Sequence, residues 1–217
     1  AGVHAIAQVA SCRFPVWTAS EDALCKAINS RLPDTIVVTE VHRTPDDFHA
    51  IRDAVGKRYR YQLQVRQQRD PFEHRYRWRV RRHVDVDAMR KAADRVVGHR
   101  DFASFESAGA ERKTSVRDVR ACDVLPGDDF DQTGHLTIEV EANGFLYNMV
   151  RNIVGTLLEV GYGKQPPAWI DEVLERRDRI HAGPTAPPYG LFLKEVFYLP
   201  GYASTITSDR HSSLTNP

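Results

Sequence analysis

The distribution of apolar positions organises this chain around Asn143–Lys164, NGFLYNMVRNIVGTLLEVGYGK. Leu146, Met149, Val150, Ile153, Val154, Leu157 and Leu158 recur at helical spacing, which predicts a core helix with one broad apolar face. Arg151 falls just past the edge of that face, with Asn148 and Gly155 one turn to either side, where a long side chain can cross into a cleft. Gly155 costs the helix about 1 kcal/mol relative to alanine, so a close approach by another chain or a ligand is expected there. Gly161 supplies a stop.

Elsewhere the period changes from helical to alternating. Val3–Phe14 is β-compatible and starts with no turn or cap ahead of it, as if cut within a longer element. Ser20 caps a short helix carrying Leu24, Ile28 and Leu32, stopped by Pro33, and the β-branched run Ile36–Val41 predicts a strand. Lys57–Gln68 reads as a long two-faced strand, with Tyr59, Tyr61, Leu63 and Val65 on one side and Arg58, Arg60, Gln62, Gln64 and Arg66 on the other. A second basic strand is expected in RYRWRVRRHV, with Arg75, Arg77, Arg79 and Arg81 on a common face. Asp87–Val97 predicts an amphipathic helix closed by Gly98, and Asp101–Phe105 a buried aromatic connector. Val116–Leu125 and His135–Glu141 predict a hairpin joined by the turn PGDDFDQTG. Pro167 opens a helix to Arg177, Gly183–Tyr189 is a Pro-rich loop, and Leu191–Leu199 a last strand with Phe192, Lys194 and Val196 on one face.

Helices interspersed irregularly with paired strands imply an α+β fold: a mixed, mainly antiparallel sheet with helices packed on one face, leaving the other face and its basic rows free to form a cleft. Residues 1–50 are read as the remnant of an N-terminal α/β domain, 51–200 as a C-terminal α+β domain carrying the central helix, and 201–217 as a disordered Ser/Thr-rich tail.

Charge refines this picture locally. The whole chain is nearly neutral, 30 basic against 29 acidic residues, so no global field steers it toward nucleic acid or membrane. Between Lys57 and Arg82, however, ten basic residues face two acidic ones, Asp70 and Glu73. Two neighbouring strands with guanidinium rows suit a phosphate backbone, and equally suit a solvated face neutralised by acidic residues from elsewhere. No apolar run has the length of a membrane span, and Cys12, Cys25 and Cys122 are too scattered for a disulfide framework, so reduced and mostly buried thiols in a cytoplasmic protein are expected. No zinc-ligand spacing, phosphate-binding glycine loop or nucleophile elbow is present, so neither metal nor organic cofactor is expected.

Four segments in order closely resemble the tRNA pseudouridine synthase A family: AGVHA at Ala1–Ala5, PDDFHA at Pro45–Ala50 with RYRY at Arg58–Tyr61, the central helix segment, and TAPPYGLFL at Thr185–Leu193. Together they cover nearly everything but the tail, and MVRNIVG is the most specific. The resemblance implies two pseudouridine-synthase-type subdomains flanking a basic cleft, homodimerisation, and cofactor-free isomerisation of uridine to pseudouridine in the anticodon arm of tRNA (positions 38–40). It further implies that Tyr59 stacks on the flipped uracil and that Arg151 pairs with a catalytic aspartate. His4 and Asn148 would line the pocket, and Lys57, Arg58, Arg60, Arg77, Arg79 and Arg81 would hold RNA phosphates.

The family's aspartate immediately precedes AGVH, and Ala1 is the first residue here, so these 217 residues are expected to be inactive by themselves. A second departure is Ile51, where the family usually carries arginine, with Arg52 beside it as a candidate substitute. Asp46 in RTPD belongs to the PDDFHA segment and is assigned no catalysis. A non-catalytic paralogue that binds structured RNA is the competing reading, and a hydrolase is disfavoured because no convincing carboxylate pair or ligand cluster exists.

Overall fold

The computed structural model describes residues 2–14, 17–109 and 113–199, so the expected tail at 201–217 lies outside the described residues. The chain divides into two compact units, one of Ala1–Gln8 with Val55–Val196 and the other of Val9–Ala54 with the segment from Phe197 onward.

The first unit is built on a seven-stranded sheet whose strands are β1 (His4–Ala5), β2 (Ala54–Val65), β3 (Trp78–Val80), β4 (Gly98–Asp101), β5 (Val116–Pro126), β6 (His135–Ala142) and β7 (Leu191–Tyr198). Their order is β1-β7-β2-β6-β5-β4, with β3 also paired to β2. β2, β6, β5 and β4 run antiparallel to one another, while β1 on β7 and β3 on β2 are parallel. The fold is therefore α+β, with a mixed and mainly antiparallel sheet.

Helix α2 (Val86–Val96) buries Met89, Ala92, Ala93 and Val96, and is capped by the Asp85 side chain, which accepts from the Ala88 amide. Gly98, at φ 126°, begins β4 directly after it. α4 (Met149–Gly161) is the central helix expected from the sequence, but it is buried nearly all round, with only Arg151 and Glu159 partly exposed. The reason is that its polar positions find partners inside. Thr156 donates to the Asn152 carbonyl at 2.7 Å, and the Asn152 amide donates to the Phe105 carbonyl at 2.8 Å and accepts from Thr185 at 2.6 Å. The fully buried Phe102 and Phe105 form the expected aromatic connector, and α5 (Trp169–Arg176) buries Ile170, Val173 and Leu174. Complete burial of side chains such as Ile153 and Leu157 contributes about 1.5–3 kcal/mol each, which makes α4 the unit's main anchor.

The turn before β6 folds into one helical turn, α3 (Phe130–Thr133), ended by Gly134 at φ 69°. A Cβ at Gly134 would collide with the Val65 backbone, so this glycine lets the hairpin close over the end of β2.

In the second unit α1 (Glu21–Asn29) is capped by Ser20 as expected. Tyr198 donates to the Ala50 carbonyl at 2.8 Å and its ring lies 5.3 Å from that of Phe48. One expected strand is not formed and another is cut short. Ile36–Val41 is extended without a ladder, and the Asn29 side chain instead binds the amide and carbonyl of Val38, both at 2.8 Å. Val3–Phe14 is a strand only over His4–Ala5, where β7 offers a parallel edge. β-Branched composition makes a strand only when another strand lies alongside, and Val37 is accordingly 71% exposed. Of the thiols only Cys122 is buried, while Cys12 is exposed and Cys25 intermediate, which corrects the expectation of mostly buried cysteines. Among the described residues no helix is long and apolar enough to cross a membrane.

Candidate active site and RNA-binding cavity

α4 begins at Asn148, a non-glycine residue in the left-handed region at φ 60°. Asparagine tolerates this conformation, and here its side chain does not cap the helix. Its Oδ1 instead accepts from Arg151 Nη1 at 2.8 Å. Arg151 Nε donates to the Ala186 carbonyl at 2.5 Å, and the Ala186 amide returns a bond to the Arg151 carbonyl at 3.1 Å. Both side-chain partners are neutral, and among the described residues no carboxylate pairs with this guanidinium.

The loop that holds Arg151 is positioned by glycines. A Cβ at Gly155 would collide with the Pro184 carbonyl oxygen, and one at Gly183 would lie 2.7 Å from Thr156 Cα. The close approach expected at Gly155 is thus made by the chain's own Gly183–Tyr189 segment. Gly190 seats that segment on the Tyr61 ring, where a Cβ would lie 2.8 Å away, and the Tyr61 hydroxyl donates to the Pro187 carbonyl at 2.8 Å. Burial pushes the Tyr61 phenol far above its ordinary value, with Tyr189 adding to the shift and the nearby Arg151 charge opposing it. Tyr61 was not assigned from the sequence, although it stands in the quoted RYRY. Its signal is the alternation that places it on the core side with Tyr59.

Tyr59 packs its ring edge-on against Phe145, with centroids 4.9 Å apart, and burial raises its phenol pKa. It packs against the buried cluster to which Tyr61 and Leu63 of β2 and the apolar residues of α4 belong. Lys57 has the same strand parity and is half-buried.

On the opposite side of β2 the basic row is neutralised across the sheet. Register pairs Arg58 with Glu141 and Arg60 with Glu139 on β6. Arg58 Nε donates to Glu141 at 3.1 Å, Arg60 Nε to Glu139 at 2.8 Å, and Lys194 of β7 bonds both Glu139 oxygens at 2.8 Å. Burial pushes the Glu139 carboxyl up, but Lys194 and Arg60 outweigh it and hold the group below its ordinary 4.5.

The second basic segment is shorter than expected. Only Trp78–Val80 joins the ladder, and the chain from Pro71 to Tyr76 forms turns. Pro71 and the Asp70 carboxylate, which accepts from the Phe72 amide at 2.8 Å, favour a turn over a strand. The result is an open cavity of about 740 Å³ lined by Arg69, Arg75, Arg77, Arg79 and Arg81, together with His4, Gln64 and Tyr189. His4 bonds the Arg75 carbonyl at 3.1 Å and stacks on Phe192 at 4.9 Å. Tyr189 and Gln64 had no role assigned from the sequence; TAPPYG contains the former, while nothing in the sequence distinguishes Gln64 from its neighbours on the strand.

In the second unit Ile51 is 75% exposed. Arg52 is drawn into its own turn by Asp53, at 2.7 Å from Nε, and by the Asp47 carbonyl.

A family profile described as tRNA pseudouridine synthase matches residues 92–199. The tRNA pseudouridine synthase A of Myxococcus xanthus is 41% identical over 201 residues, covering 93% of this chain and 74% of that relative. The enzyme of the same name from Chlamydia muridarum is 40% identical over 215 residues, with coverage of 98% and 79%, and that of a Geobacillus species 42% over 199 residues, with 91% and 77%. With the motif residues on the loop, strand and helix described above, these similarities show that the chain belongs to the tRNA pseudouridine synthase A family, a family of isomerases.

Proposed function

We propose that this protein isomerises uridine to pseudouridine in the anticodon arm of tRNA, as a cytoplasmic homodimer without metal or organic cofactor. The bond from the ribose to N1 breaks and is remade to C5, which finally loses its proton while N1 gains one. The carboxylate that assists at the sugar is expected from the residue preceding Ala1. Arg151 orients it, Asn148 holds Arg151, Tyr59 stacks on the uracil, and His4 lines the pocket, while Lys57, Arg77, Arg79 and Arg81 hold phosphates.

The observation that carries this reading is the state of Arg151. Its guanidinium is anchored by two neutral acceptors, Asn148 Oδ1 and the Ala186 carbonyl, and among the described residues no carboxylate pairs with it, which suits it to receive an anion. Tyr61, fixed to the adjacent Pro187 carbonyl, supports the reading by joining the strand that carries Tyr59 to the same loop.

The test incubates tRNA with residues 1–217 and with the same chain extended upstream through an aspartate, and measures pseudouridine by chemical derivatisation and mass. Conversion is expected from the extended chain alone. In that chain Tyr59→Ala should slow turnover far more than it weakens tRNA binding, because one ring adds little to an interface dominated by phosphates. Conversion by residues 1–217 overturns the assignment of the carboxylate. An extended chain that binds tRNA and converts nothing overturns the proposal of catalysis.

A further inference from the structure

The arginine-lined cavity contains two polar groups that the protein leaves unsatisfied. Gln64 is only 3% exposed, and its Nε2 is buried with no hydrogen-bond partner among the described residues; Arg77 Nη1 is likewise buried and without a partner among them. A buried donor left unpaired is costly, and both residues line the cavity, so an acceptor that enters it and draws the two side chains toward itself would remove that cost.

The two donors are also held in place. Gln64 sits in the ladder, opposite His135 on β6 and Arg79 on β3. Arg77 Nε is fixed to Glu73 at 2.9 Å, and Glu73 is fixed in turn to His135 Nε2 at 2.8 Å. Glu73 therefore orients the guanidinium from one side and leaves Nη1 for a ligand. An acceptor that takes bonds from an amide and a guanidinium, in a cavity lined by five arginines and the Asp70 carboxylate, has the chemistry of a phosphate oxygen.

We propose that Gln64 Nε2 and Arg77 Nη1 form a fixed binding point for one phosphodiester of the RNA backbone, and that Gln64 is an RNA-binding residue of this chain. The inference rests on the reading of this face as the tRNA-binding side. It separates Arg77, a preset ligand, from Arg69, Arg75, Arg79 and Arg81, which line the same cavity and supply general positive charge. A neutral donor adds affinity through geometry, whereas a cation adds affinity that salt screens.

The experiment measures tRNA binding across a salt series, together with thermal unfolding, for the unaltered chain, Gln64→Met and Arg77→Gln. Gln64→Met keeps the length of the side chain and removes the unsatisfied amide, so the melting temperature is expected to hold or rise while affinity falls about tenfold at every salt concentration. Arg77→Gln is expected to lower affinity and to flatten the salt slope by about one. Unchanged affinity in Gln64→Met, with the unaltered chain binding tRNA in a salt-dependent way, overturns the binding point alone. A melting temperature that falls together with affinity also overturns it, because the amide is then structural. No tRNA binding by the unaltered chain, folded by its unfolding transition, overturns the reading of this face as well.

Discussion

Two basic segments of similar sequence have different fates. Arg58 and Arg60 on β2 and the arginines from Arg69 to Arg81 both present alternating guanidiniums, yet the first pair faces Glu141, Glu139 and Lys194 across the sheet, while the second group surrounds an open cavity. The sign of a residue's charge does not decide its role; the residue opposite in the register does. β6 carries glutamates at the two positions that meet Arg58 and Arg60, so both arginines are paired within the fold, with Lys194 and Arg120 sharing the same two carboxylates. The Arg75–Arg81 segment meets β2 over three residues only, and among the described residues Arg77 with Glu73 is its one ion pair.

The two segments differ most at Glu139. Glu139→Gln removes the anion that holds Arg60 and Lys194, and is expected to destabilise the fold by about 2–3 kcal/mol in urea unfolding at neutral pH. Glu73→Gln, at the more exposed carboxylate that pairs with Arg77, is expected to cost less than about 1 kcal/mol. Equal losses would show that both segments are structural.

The smaller effect is one of pH. Because the folded-state pKa of Glu139 is depressed below 4.5, its contribution is present above that value and lost as pH falls through the depressed one. Urea midpoints taken from neutral pH downward should therefore decline less steeply in Glu139→Gln than in the unaltered chain. Parallel declines would place the acid sensitivity elsewhere.

The sequence reveals the helices and the long strands because their apolar period is set locally. α4, α2, the β5–β6 hairpin and the Ser20 cap all lie where periodicity and capping chemistry put them. The expectations that failed depended on distant partners. Ile36–Val41 has strand composition but no adjoining strand among the described residues, and α4 hides its polar positions because Phe105 and Thr185 come to meet Asn152. At the site, Arg151, Asn148 and Gly155 were legible from helical geometry joined to the motif. The neutralisation of Arg58 and Arg60 was only one of two open alternatives, because the β2–β6 register that decides it joins residues roughly 80 positions apart in the chain. Gln64 was invisible as a donor, since its lack of a partner is a property of the folded cavity and not of the residue.

The proposal that RNA phosphates are held by the cavity arginines and not by Arg58 and Arg60 is decided by the salt dependence of tRNA binding in two multiple variants. Arg77→Gln, Arg79→Gln and Arg81→Gln together are expected to reduce the slope of log affinity against log salt by about three, with folding retained. Arg58→Gln with Arg60→Gln should leave that slope nearly unchanged and instead lower stability, because both cations are already matched by glutamates. A slope that falls with the β2 pair and survives the cavity triple would contradict the account.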